Sequence, residues 1–141
     1  MTIDIKYHSD IIPLEMTENG DWCDLRLAED VTLKAGEFKI LSLGVSMKLP
    51  ENYEAVVIPR SSTFKRWGIL QANSVGLIDN SYCGDNDIWG FPALATRDVT
   101  IEKNSRICQF RVQKKMDDVI FNVVKNLSGV DRGGFGSTGG I

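Results

Sequence analysis

Short runs in which apolar and polar residues alternate, each cut off by a turn signal, constrain this chain more than any other feature. Ile3-Asp4-Ile5-Lys6-Tyr7 is such a run, with the two-residue period of a half-buried strand. Val31-Thr32-Leu33 leads into the turn Lys34-Ala35-Gly36-Glu37, and Phe38-Lys39-Ile40 follows. Val45 to Leu49 stops at Pro50, and Tyr53 to Ile58 stops at Pro59. Val99-Thr100-Ile101, Ile107 to Val112 and Val119 to Val124 complete the series. Helical periodicity is missing; a short turn around Ser62–Arg66 is the one candidate helix. Turn signals about every 8–12 residues predict an all-β domain, a sandwich, jelly roll or barrel.

With 141 residues, 43% of them apolar, the chain is long enough for one domain with a real core. Its 16 basic and 19 acidic residues leave a net charge of -3, which argues against nucleic-acid binding through counterion release. A polyanion would have to be gripped by a few local cations, backbone N–H groups or a metal ion. Cys23, Cys83 and Cys108 are odd in number and lack C-x-x-C spacing, which suggests buried or semi-buried free thiols in a reducing cytoplasm. No apolar stretch approaches membrane-spanning length and no basic leader precedes an apolar run, so a cytoplasmic protein without membrane partners is expected. His8 is the sole histidine. Its place in an N-terminal, strand-like stretch argues against a Ser-His-Asp triad, and its being alone against a His-rich zinc site, leaving acid–base work to carboxylates, a tyrosine or water.

Four segments carry candidate chemistry, each with a plainer reading beside it. Pro59-Arg60-Ser61-Ser62-Thr63 follows a strand and opens the candidate helical turn. Its hydroxyls, N–H groups and Arg60 suit phosphate oxygens, or it is an N-capped surface turn. Asn73 to Asp85 reads as a hairpin, with Gly76-Leu77-Ile78 offering backbone groups to a base edge and Tyr82 offering a flat face to a sugar. Asp79, at the strand end, is either a general base for water or a turn-capping residue. Asp24 and Gln109 are polar positions in strand patterns, which alone would face solvent. Asp85-Asn86-Asp87 resembles part of a calcium loop without the full pattern, and reads as an acidic turn.

The end of the chain changes character. Asp131 to Gly140 holds five of the 13 glycines, so ordering it without a partner costs too much entropy. It reads either as a frayed tail or, because Arg132 and Phe135 flank small residues with hydroxyl and N–H groups, as an arm that closes over a nucleotide. It is not a P-loop, since no Gly-Lys-Ser/Thr follows.

Taken in order, Asp24-Leu25, Pro59-Arg60-Ser61, Gly76-Leu77-Ile78-Asp79-x-x-Tyr82-x-Gly84, Arg106-Ile107-x-Gln109 and Arg132-Gly133 with Gly134-Phe135-Gly136-Ser137-Thr138-Gly139 resemble the five-motif series of the trimeric dUTP pyrophosphatases. The resemblance runs from about Trp22 to Gly139 and looks similar to phage and Gram-positive versions. It implies a distorted jelly roll over 1–128, a flexible arm over 129–141, and a homotrimer with active sites between subunits. It implies dUTP as substrate, cut to dUMP and pyrophosphate, with Mg2+ as cofactor and dUMP supplied for thymidylate synthesis. Asp79 would activate the attacking water and Tyr82 would lie under the deoxyribose. Asn73, Gly76, Leu77 and Ile78 would read uracil, while Arg60, Ser61, Ser62 and Gln109 would bind the phosphates. Asp24 would position hydrated magnesium. Phe135 would stack on uracil, with Arg132, Gly136, Ser137 and Thr138 on the terminal phosphate.

Some positions depart from the family pattern. Trp22-Cys23 replaces a small residue and an aromatic, Ser62 stands where glycine is common, and Ser81 and Cys83 replace an acid and a base around Tyr82. The gap from Arg132 to Phe135 is about two residues short, which bears on the reach of Arg132. Two alternatives share the site: a dCTP deaminase-like enzyme of the same fold, and a dUTP-sensing module that binds a regulatory protein partner. The deaminase needs a glutamate that Ile88 to Ala95 lacks, and an intact Asp79 speaks against a module without turnover. If the chain is phage-encoded, its place is inside the host cell.

Overall fold

The computed structural model describes residues 1–141 and is almost entirely β. Strand β1 (Asp4–Tyr7) pairs antiparallel with β5 (Val45–Lys48), and β3 (Val31–Leu33) with β10 (Val99–Ile101). A four-stranded sheet runs β2 (Cys23–Arg26), β11 (Arg106–Lys114), β6 (Tyr53–Pro59) and β8 (Gly76–Ile78). A three-stranded sheet runs β4 (Phe38–Ser42), β9 (Gly90–Ala95) and β7 (Ile69–Gln71). The inward side chains of these strands meet in one core of 22 buried residues. Trp89 and Phe110 cross edge-to-face at its centre, with ring centroids 5.2 Å apart, a favoured aromatic geometry. The alternation read from the sequence is visible in burial: β2 and β3 bury every second residue because only one face of each meets the core.

The one helix, α1 (Thr63–Trp67), falls where the sequence placed it, but Ser62 does not cap it with its side chain. Thr63 takes over the polar work: its hydroxyl accepts from the Arg60 N–H and donates to the Ile107 carbonyl, each at 2.8 Å. The helix ends at Gly68, whose φ of 62° is left-handed. A Cβ there would lie 2.7 Å from Arg97 Nε, so glycine is needed on two counts.

Three expectations change. Asn73 to Asp85 is not a hairpin: β8 pairs with β6, and no strand follows it before β9. β8 is reached by a crossing between sheets after Gln71, since β7 pairs with β9. Gly76 makes the crossing tight, since a Cβ there would be 3.2 Å from both Val57 Cβ and Gln71 Nε2. Val119 to Val124 forms no strand; Ile120, Phe121 and Val123 are each at least 90% exposed. A strand exists only with a neighbour to bond, and nothing in this chain lies beside these residues as one. The third change concerns the thiols: Cys23 and Cys108 are buried, whereas Cys83 is exposed. Strand β9 also carries Pro92 in the middle of a sheet. Its carbonyl accepts from Ala72 just past the end of β7, so its nitrogen faces the side where the ladder has run out.

Candidate functional site

Two groups of the candidate residues form on opposite edges of the four-stranded sheet. The first is built on β2 and β11, where Asp24 stands directly opposite Gln109. The Asp24 carboxylate, a quarter exposed, bonds Arg60 Nε through one oxygen and Arg106 Nη1 through the other, each at 3.2 Å. Arg60 also donates to the Arg106 carbonyl at 2.9 Å, and Gln109 donates to the Pro59 carbonyl at 3.1 Å. Asp24 and Gln109 are therefore not simply solvent-facing. Two guanidiniums and a carboxamide gathered around one carboxylate leave net positive charge there, which suits a phosphate chain. Ser61 and Ser62 follow Arg60 at the start of α1.

Arg106 joins this group although it lies three positions before Gln109, a spacing that puts side chains on opposite faces of a regular strand. A β-bulge between Arg106 and Cys108 shifts the register by one, which restores Arg106 to the face of Asp24. The consecutive buried pair Ile107 and Cys108 is the trace of that bulge in the sequence: two apolar residues in a row where alternation should hold. Burial, and then the charge of Asp24, raise the Cys108 thiol far above its ordinary range, and the same causes raise Cys23. Neither thiol is a nucleophile at neutral pH.

The second group surrounds a cleft of about 290 Å³, near the small end for ligand sites and of a size for a nucleoside. Asn73, Gly76, Leu77, Ile78, Asp79 and Tyr82 form one wall, and Val57, Ile88, Trp89, Gly90 and Pro92 the rest. Strand β8 is an edge strand, bonded to β6 alone. Its free edge presents N–H and C=O groups at fixed spacing, which can recognise the edge of a planar base. The Tyr82 hydroxyl donates to the Ile88 carbonyl at 3.1 Å, which fixes the ring against the cleft. Asp79 Oδ1 accepts the Ser81 N–H at 2.8 Å, and its carbonyl accepts the Tyr82 N–H at 3.0 Å. Asp79 is thus a turn-capping residue and a cleft residue at once. The Ser81 backbone bond, then the Ser81 hydroxyl and the charge of Lys115, hold its carboxyl below the ordinary aspartate range.

None of Asp24, Arg60, Ser61, Ser62 or Gln109 lines that cleft. The tail residues stand apart as well: Phe135 is fully exposed, and Ser137 is tied to Gly134 within a local turn. Arg132, Gly136 and Thr138 are likewise exposed. One chain therefore holds the candidate residues as three separate sets. Arg106, Lys115 and Asn80, none of them assigned a role from the sequence, join the site or its support. Lys115 lies past the strand pattern and is brought to Asp79 by a contact between its N–H and the Asn52 carbonyl at 3.0 Å, for which the sequence carries no signal.

Comparison with known proteins agrees with this architecture. The dUTPase family model matches residues 12–139. The chain is 56% identical over 140 residues, 99% of each chain, to the SPbeta prophage-derived deoxyuridine 5'-triphosphate nucleotidohydrolase YosS of Bacillus subtilis. It is 40% identical over 133 residues to the deoxyuridine 5'-triphosphate nucleotidohydrolase of Streptomyces avermitilis, covering 92% of this chain and 75% of that one. The fold is similar to that of the Staphylococcus bacteriophage 80alpha dUTPase G164S mutant with dUpNHpp, with a TM-score of 0.81 at 20% identity over 98% of both chains. It is also similar to the dUTPase of Streptococcus mutans, with a TM-score of 0.72 at 21% identity, covering 84% of this chain and 98% of that one.

Proposed function

The chain belongs to the dUTPase family and is a dUTP nucleotidohydrolase, and from that premise we propose that water held by Asp79 attacks the α-phosphorus of dUTP in line, releasing dUMP and pyrophosphate. The observation that carries this reading is the cleft itself: a free strand edge, a fixed tyrosine ring and a carboxylate line one nucleoside-sized space. Uracil lies against Asn73 and the backbone of Gly76, Leu77 and Ile78. Cytosine offers a donor where uracil has an acceptor, so the wrong base leaves a buried group unpaired. Tyr82 packs on the deoxyribose and leaves no room for a 2′-hydroxyl.

The phosphate-binding set lies outside the cleft, which supports an active site shared between chains. Arg60, Ser61, Ser62 and Gln109 come from one subunit of a homotrimer, and Asp79 and Tyr82 from another. The segment 129–141, a flexible arm beyond a jelly-roll domain at 1–128, closes over them; Phe135 stacks on uracil, while Arg132, Gly136, Ser137 and Thr138 hold the terminal phosphate. A similar phage 80alpha dUTPase carries a dUTP analogue, dUpNHpp, which fits this use of the fold. The enzyme works inside cells, where it lowers dUTP and supplies dUMP.

Asp79 is a weak base, because its carboxyl is held below the ordinary range; its contribution lies in orienting the water more than in driving proton removal. Arg60 and Gln109 align the phosphate chain so that pyrophosphate departs opposite the attack. The donor set fits Mg2+ in a limited way. Asp24 is the carboxylate among the phosphate-binding residues, and no three His, Cys, Asp or Glu side chains converge anywhere. Asp24 would hold a hydrated Mg2+ ion through water, and the triphosphate would supply most of its other ligands. A dUTPase of phage phi11 is described with a structural Mg(II) ion. Bound on the phosphates, Mg2+ supplies charge neutralisation to the departing oxygens.

Mixing the protein with dUTP and with dCTP tests the reaction. Pyrophosphate release from dUTP alone is expected; ammonia release from dCTP, or no turnover of either, overturns it.

A further inference from the structure

The residue next to Asp79 ties the loop to the body of the protein. Asn80 Nδ2 donates to the Pro50 carbonyl at 2.8 Å and to the Tyr53 carbonyl at 2.9 Å. A side-chain amide has two N–H groups, and both are used here on one turn. That turn is itself held firmly: the Tyr53 N–H donates to the Pro50 carbonyl at 3.1 Å, Asn52 takes a left-handed φ of 66°, and β6 starts at Tyr53. By contrast, the hydrogen bonds of Asp79, Ser81, Tyr82 and Gly84 stay within residues 79–88. They shape the loop from within. Its far end is held to β5, where Ser46 Oγ donates to the Asp87 carbonyl at 2.8 Å and the Trp89 N–H donates to the Val45 carbonyl at 2.8 Å, so Asn80 supplies the tie at the Asp79 end. The same turn accepts the Lys115 N–H on the Asn52 carbonyl, so it sets both the catalytic loop and the cation beside it.

We propose that Asn80 is a positioning residue for hydrolysis: by clamping its loop to the Pro50–Tyr53 turn, it presents the Asp79 carboxylate to the attacking water at a fixed angle. This rests on Asp79 being the group that holds the water. An ångström of misplacement can cost on the order of 10²-fold in rate without weakening ground-state binding. Serine is too short to reach both carbonyls. Aspartate fits the space but turns an oxygen toward two oxygens.

The experiment places Asn80→Asp and Asn80→Ala in the full-length protein, alone and combined with Asp79→Asn. It reads kcat and KM for dUTP, thermal melting, and amide exchange at Ser81 and Tyr82. The expected result is a fall in kcat of roughly 10- to 100-fold with KM within about threefold, and faster exchange at both amides. In the Asp79→Asn background the same change should cost less than about twofold more, because two residues acting through one step are not additive. Asn80→Ala, which removes both bonds without adding charge, serves if Asn80→Asp does not fold. Unchanged kcat in a folded Asn80 variant, or an equal loss with and without Asp79, overturns the positioning role while leaving Asp79 in place. Full activity in Asp79→Asn overturns the reading of Asp79 and this proposal together.

Discussion

Two facts about the Asp79 side chain pull its chemistry in different directions. It lies at the wall of a nucleoside-sized cleft, as a group that touches the reacting water should, yet it is exposed and hydrogen-bonded in a way that stabilises its charge. A strong base needs a raised pKa; this one is lowered, so it has to act by geometry. Asp79→Asn keeps the shape and the Ser81 bond but loses the charge, and should lower kcat by about 10²-fold or more while leaving affinity for a non-hydrolysable analogue intact. Turnover at the wild-type level would remove Asp79 from its role. The pH profile follows from the same bonds. A carboxylate base works ionised, so the acid limb of kcat/KM should fall below the ordinary aspartate range. Lys115 is one of the groups that hold it there. Lys115→Met should therefore move that limb to higher pH, and a limb that stays put or moves lower would refute the coupling.

Elements were legible in this sequence where alternation and punctuation coincide. β1, β3, β4, β5, β6, β10 and β11 each contain a run of alternating or β-branched residues. In β3 one face is buried and the other wet, whereas β1 is exposed along its whole length and is legible only by its pattern. Two kinds of information were not local. The sheet that a strand joins depends on distant partners, so Asn73 to Asp85 carries the pattern of a hairpin although β8 pairs with the distant β6 and no strand follows it before β9. The fate of Val119 to Val124 likewise depends on a neighbour that this chain does not supply. The Asp24 group was half legible: the Arg-Ile-x-Gln pattern is plain, whereas the bulge that turns Arg106 toward Asp24 shows only as a doubled apolar pair. The arm is the element whose role is most open to direct attack. Residues 131–141 bury almost nothing, with Phe135 and Ile141 fully exposed, so stopping the chain after Val130 should leave melting temperature and assembly unchanged. If the arm excludes water and completes the phosphate site, turnover should fall at least about tenfold. Normal kcat/KM in the truncated protein would reduce the arm to a frayed end.

At the scale of the whole molecule, the chain looks unfinished alone. Ile120, Phe121, Val123, Leu127 and Val130 are each at least 90% exposed, more contiguous apolar side chain than a monomer usually leaves in water. The nucleoside cleft and the phosphate-binding residues also stand apart on one chain. The proposed homotrimer would answer both, by covering the segment and by bringing one subunit's Arg60 to its neighbour's Asp79. Light scattering should give three times the 15.7 kDa chain mass. Subunit mixing is the sharper test, because it separates a trimer that merely exists from one that builds the site. Asp79→Asn and Arg60→Ala subunits are each expected to form nearly inactive trimers. Unfolding and refolding them together in equal amounts scatters both kinds through every trimer. If each site takes Asp79 from one subunit and Arg60 from another, half the sites have an intact Asp79, and half of those an intact Arg60. Activity should then recover to roughly a quarter of the wild-type level. A site contained within one chain predicts no recovery at all, since every chain in the mixture lacks one of the two groups.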